Sequence, residues 1–164
     1  MAEKMTRRTF IKGAAAAAVA VSLSGVLAGC SGDDGGYDVG DFRVYLSIAD
    51  YAWSDMNNNG YVAMNVTVKN VNATLSLDNA FSDVFAASVN GTDFALENGG
   101  EKISLVKGSS KVCTPKFVLT GENNKAVYNN LISGATTMTL KVTLSRVPCY
   151  FIVDLKNKQI TLQK

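Results

Sequence analysis

The 164-residue chain contains no histidine. That one absence removes Ser-His-Asp and Cys-His catalytic constellations together with every imidazole metal site. Proline occurs twice, tryptophan once and cysteine three times. The cysteines, Cys30, Cys113 and Cys149, have no C-x-x-C spacing for zinc or dithiol chemistry. No glycine-rich loop follows a strand pattern and opens a helix, so a phosphate-cradling loop is missing too. Ser109-Ser110-Lys111 places a serine beside a lysine. Neighbours on a strand point to opposite faces, however, and Gly108-Ser109-Ser110 reads as a turn. Asp50 and Asp55 could make a carboxylate pair, but both lie in polar sequence where solvated acids are the rule. These absences predict a protein that is not an enzyme and has no cofactor.

What is present begins with a leader. Met5-Thr6-Arg7-Arg8-Thr9-Phe10-Ile11-Lys12 resembles the twin-arginine export signal, carried by Arg7, Arg8, Phe10 and Lys12, with Ile11 where leucine is usual. An alanine-rich stretch over 13–29 follows, too short for the usual membrane-spanning helix. It ends in Leu27-Ala28-Gly29-Cys30, which resembles the lipobox of bacterial lipoproteins, whose cysteine receives a diacylglycerol and becomes the new N-terminus. Residues 1–29 therefore read as a twin-arginine lipoprotein signal peptide. The expected product is extracytoplasmic and anchored to the cell membrane by lipid on Cys30.

Removing the leader changes the charge. Of 16 basic and 14 acidic residues, Lys4, Arg7, Arg8, Lys12 and Glu3 depart, which leaves 12 and 13 and a net of −1. With no Lys/Arg cluster, the mature chain lacks the electrostatic footprint of a nucleic-acid binder. Residues 30–41 read as the lipidated cysteine and a flexible tether, glycine-rich and acidic, with too little apolar surface to fold. Such a tether would span on the order of 18 Å as a random coil. Residues 42–164 suffice for one domain with its own core.

Within that domain the hydrophobic period is two. Phe42, Val44, Leu46 and Ile48 alternate with polar residues, as do Val62, Met64, Val66 and Val68, and Met138, Leu140, Val142 and Leu144. This is the pattern of half-buried antiparallel strands. Asn90-Gly91 between Val84–Val89 and Thr92–Glu97 predicts a type I′ hairpin. Further strands are expected at Lys102–Lys107, Lys111–Thr120, Cys149–Leu155 and Gln159–Lys164, and one short helical turn at Lys125–Ser133. Eight or nine short strands argue for an all-β, antiparallel β-sandwich.

Asp55-Met56-Asn57-Asn58-Asn59-Gly60 matches the opening of an EF-hand calcium loop. Position 12 of that loop is Val66, where a bidentate glutamate should stand, and Val66 belongs to the core side of a strand. The stretch therefore reads as a turn, and no metal site is expected. Around it lie Asp50, Tyr51, Trp53, Asp55 and Tyr61. Rings beside carboxylates suit recognition of sugars, peptides or cations, so Tyr51, Trp53, Asp55 and Tyr61 are the candidate ligand-binding residues. The competing and preferred reading is that Tyr51 and Trp53 cap one end of the core.

Cys113 and Cys149 remain after lipidation, each near a proline, Pro115 and Pro148. An even pair in an exported domain favours a disulfide, which on the chain-entropy model would add about 3.8 kcal/mol. Export of an already folded chain argues instead for two buried thiols. The bridge is the expectation.

Tyr61–Asn70, ending "VTVKN", then Leu75, Leu77 and Phe81, the Asn90-Gly91 hairpin, "LVKGS" at Leu105–Ser109 and the strand Lys111–Leu119 come in an order that resembles a known family. It is that of the immunoglobulin-like domains of secreted bacterial lipoproteins, related in fold to the mycobacterial immunoprotective extracellular antigens. Val68-Lys69-Asn70 and Gly108-Ser109-Ser110 match its strand end and turn, and the resemblance spans about Phe42 to Leu155. It implies an immunoglobulin-like sandwich on the outer face of a membrane, with no catalytic residues. The function expected is a binding or interaction module whose partner is an envelope protein, peptide or glycan. The alternatives are an accessory subunit of an envelope complex or, last, a histidine-free hydrolase.

Overall fold

A computed structural model describes residues 35–71, 74 and 76–163. They form an all-β, antiparallel sandwich of thirteen strands and two helices. The strands are β1 (Tyr37–Val39), β2 (Phe42–Ser54), β3 (Asn59–Asn70), β4 (Leu77–Ala80), β5 (Phe85–Val89), β6 (Thr92–Asp93), β7 (Ala95–Leu96), β8 (Lys102–Leu105), β9 (Ser110–Cys113), β10 (Lys116–Thr120), β11 (Met138–Leu144), β12 (Val147–Asp154) and β13 (Gln159–Leu162). The helices are α1 (Phe81–Val84) and α2 (Asn123–Ser133). One sheet runs β1-β2-β3-β10-β7, with β9 also paired to β3; the other runs β13-β12-β11-β5-β6; β4 and β8 form a separate pair.

Alternation does what the period of two predicts. In β11 every even residue from Met138 to Leu144 is buried, and Val62, Met64, Val66 and Val68 of β3 are fully buried opposite them across the core. Asn90 and Gly91 both take positive φ, 48° and 82°, between the paired Val89 and Thr92, as a type I′ turn requires. The β11–β12 turn has the same form, with Ser145 at 48° and Arg146 at 65°, although neither is Gly or Asn.

Four expectations need correction. The tether ends earlier than predicted: Tyr37 and Val39 flank Asp38 in β1, Val39 is fully buried, and the Tyr37 ring meets Phe151 edge-on at 5.0 Å. Glycine-rich composition hid a three-residue alternation whose partner is β2. The count of strands rises because β1 and β4 add to those expected and because two expected strands are broken. Thr92–Glu97 divides at the buried Phe94, so that β6 joins one sheet and β7 the other. Lys111–Thr120 divides at Thr114-Pro115; Pro115 has no N–H to give, and its carbonyl accepts from Met64 N at 3.1 Å. The helical turn begins two residues earlier than expected and makes three turns, closed by Gly134 at φ 79°.

The fourth correction concerns sulfur. Cys113 and Cys149 are buried thiols, not a disulfide. They lie in opposite sheets, Cys113 opposite Val66 on β9 and Cys149 opposite Val142 on β12. Each packs into the core as a small apolar side chain, a role that needs no oxidant. Burial pushes the Cys113 thiol up to about 11.

Candidate functional site at the tip of the long hairpin

β2 and β3 pair over their whole length, and the tip of this hairpin carries the predicted cluster. The pairing is interrupted once. Ile48 faces Met64 and Asp50 faces Ala63, so Ala49 is an extra residue, a β-bulge. Because side chains alternate, one inserted residue moves all later ones to the other face. Before the bulge Phe42, Val44, Leu46 and Ile48 point inward; after it Tyr51 and Trp53 do, while Asp50 and Ala52 point outward. The bulge thus splits one sequence cluster across two faces.

On the inner face Trp53 sits opposite Gly60 and tilts against Tyr128 of α2, with ring centroids 5.4 Å apart. Tyr51 and Trp53 pack against the core, which matches the reading of them as a cap. The indole Nε1 donates to Asp55 Oδ1 at 3.0 Å, and Lys125 Nζ lies 2.7 Å from the same oxygen. The hydrogen bond and charge of Lys125 hold the Asp55 carboxyl below its ordinary value. On the outer face the Tyr61 hydroxyl donates to Asp50 Oδ2 at 2.6 Å, and Asp50 Oδ1 accepts from Tyr51 N at 2.8 Å. The Asp50 carboxylate retains the phenol proton and raises the Tyr61 pKa. Lys116 Nζ stands 4.6 Å from the centre of the Tyr61 ring and 2.6 Å from Glu97 Oε2.

The calcium-like stretch is a turn over residues 55–58, with Asn58 at φ 44°. Val66 is fully buried and cannot close a loop. Gly60 serves differently from the turn glycine expected. It lies in a strand, and its missing β-carbon leaves room for the Trp53 and Tyr128 rings. Ser109 Oγ donates to Val106 O and Lys111 Nζ to Lys102 O, so that neighbouring pair is engaged elsewhere. Sequence reasoning missed Lys125, Tyr128 and Lys116. Tyr128 and Leu131, three apart and both buried on α2, were the available signal. Arg7, Arg8, Phe10, Lys12, Leu27, Ala28, Gly29 and Cys30 lie outside the described residues.

The fold and the leader together define an exported all-β sandwich protein. The family of twin-arginine translocation pathway signal sequences matches residues 4–24, so the chain carries an export signal for the cytoplasmic membrane. No curated protein matches the chain. Among solved structures it is similar to the ycdA protein of Bacillus subtilis, there proposed to be a lipoprotein, with 15% identity and a TM-score of 0.54 over 76% of this chain. The chain spans 39% of that protein's length. A protein from Archaeoglobus fulgidus aligns at 10% identity over 73% of this chain and 88% of its own, with a TM-score of 0.40.

Proposed function

We propose that this chain is a lipoprotein, held at the cell membrane by lipid on Cys30, whose immunoglobulin-like sandwich serves outside the cytoplasm as a binding or interaction module. The observation that carries the reading is Leu27-Ala28-Gly29-Cys30 directly behind the matched export segment, residues 4–24. That the Bacillus protein of similar fold is itself proposed to be a lipoprotein accords with it. Recognition is proposed over catalysis because the chain has no histidine and the hairpin-tip carboxylates are engaged with neighbours. An accessory subunit of an envelope complex is the second reading, favoured by Met56, which is 96% exposed at the hairpin tip.

Metabolic labelling with a fatty acid tests the anchor. The native chain is expected to take up label and partition into detergent, and Cys30→Ala to do neither. Label retained by Cys30→Ala overturns the lipoprotein reading.

A further inference from the structure

The end of the sandwich away from the hairpin tip is built differently. There the β1–β2 turn, Ser76 to Asn79, α1 and the β11–β12 turn line a half-open surface cavity of about 520 Å³. That volume is within the range of small-molecule sites, roughly 300–1,000 Å³. Phe42 and Leu77, both buried, supply its apolar floor, and Thr143 adds a hydroxyl. Asp41, Asp83 and Arg146 supply its charge.

The two ends differ in how their polar groups are used. At the hairpin tip Asp50, Asp55, Tyr61, Lys116 and Lys125 each have a partner within the fold. Asp41, Asp83 and Arg146 are exposed at the mouth of the cavity. Among the described residues their side chains form no ion pair and no hydrogen bond, so water is all that a ligand would displace from them. A guanidinium offers a planar fork that takes a carboxylate through two hydrogen bonds. Carboxylates in turn take an ammonium group. One cation beside two anions disfavours a phosphate or other polyanion, and it complements a molecule that carries one carboxylate and one or two ammonium groups. Arg146 is set at the rim by its turn: Leu144 pairs with Val147, and the two residues between them are held at φ 48° and 65°.

We propose that this cavity binds a small zwitterion, an amino acid or short peptide, with Arg146 on its carboxylate and Asp83 and Asp41 on its ammonium groups. The proposal rests on the binding-module reading and names its ligand class. The route of the chain agrees with it. The described chain starts at Gly35, on the flank lined by Lys158 and Ile160, and β1 runs from there to the Gly40-Asp41 turn. Asp41 and Phe42, which line the cavity, follow the end of β1 opposite Gly35.

The test is amide NMR and calorimetry on the full mature protein in detergent, with the peptide Lys-Gly-Gly, its C-terminal amide, its N-acetyl forms and galacturonic acid as probes. Lys-Gly-Gly is expected to shift the amides of Asp41, Asp83, Ser145 and Arg146, and amidation to weaken binding about tenfold, as loss of a charge-assisted pair would. Arg146→Gln should bind the acid and the amide alike, and Asp83→Asn should lose its preference over the N-acetyl forms. Melting curves on each variant establish that it is folded. Absence of shifts at millimolar Lys-Gly-Gly overturns the proposal, as does galacturonic acid binding in the cavity where Lys-Gly-Gly does not. Shifts confined to Tyr51, Trp53 and Tyr61 overturn the cavity while leaving the binding module standing at its other end.

Discussion

Trp53 and Tyr128 close over Gly60. A β-carbon on Gly60 would collide with Cε3 of Trp53 and lie 2.8 Å from Cδ2 of Tyr128. Both rings belong to a contact that joins β2, β3 and α2, so neither can move aside without loosening the helix. Gly60→Ala is expected to lower stability by about 1–3 kcal/mol, the cost of overpacking. Urea unfolding with an unchanged m-value measures it. A loss below about 0.5 kcal/mol, the size of an ordinary surface change, would contradict this packing.

Tyr128 separates ring from hydroxyl. Its OH reaches Tyr61 O at 3.5 Å, at the limit of a hydrogen bond, whereas its ring is buried. Tyr128→Phe should therefore cost under about 1 kcal/mol and Tyr128→Ala about 3–5 kcal/mol, by thermal or urea unfolding. Equal losses would show that the hydroxyl, not the ring, holds α2.

Acid should release the Asp55–Lys125 pair. The folded carboxyl titrates below its ordinary value of 3.8, chiefly through the Lys125 hydrogen bond. The sign is that of a depressed acid: its contribution is present above the unfolded pKa and lost as pH falls through the folded one. Carboxyl NMR titration should place Asp55 below 3.8, and Lys125→Ala should move it back up. No movement in that variant would remove Lys125 as the cause.

The β11–β12 turn predicts a gain. Ser145 and Arg146 both hold left-handed angles that Asn and Gly adopt more readily. The pair Ser145→Asn and Arg146→Gly should stabilise the fold by about 1–2 kcal/mol. A melting temperature at or below that of the native chain would show that no strain resides there.

Alkali should act on Cys113. With its thiol at about 11 when folded and near 9.0 when exposed, the protonated form favours the folded state. Stability is thus unaffected below about pH 9 and falls as pH rises toward 11. Cys113→Ala should flatten that decline. Alkylation after unfolding without reductant should modify both Cys113 and Cys149; protection of both would restore the disulfide.

Much of the fold was legible before any coordinates. Strand alternation in Val62–Val68 and Met138–Leu144 and the Asn90-Gly91 turn are properties of neighbours in the chain, and they survive in the structure unchanged. The candidate site was legible only as a list of residues. Tyr51, Trp53, Asp55 and Tyr61 were rightly placed around one turn, but their division between two faces depends on Ala49, an unremarked alanine.

The amino-acid sequence by itself determined the export signal, the period of two and hence an all-β sandwich, because each is written in residues close together along the chain. Tertiary structure decided where that pattern is interrupted and what meets across it. Phe94 crosses between sheets, the bulge at Ala49 turns Trp53 inward, and α2 brings Tyr128 and Lys125 to a hairpin about seventy residues earlier in the chain. Cys113 and Cys149 look alike in the sequence; the sandwich set them in opposite sheets, each among apolar neighbours that a thiol already satisfies. Register and face follow from which strands pair, and pairing is a long-range choice made by burial of the whole core.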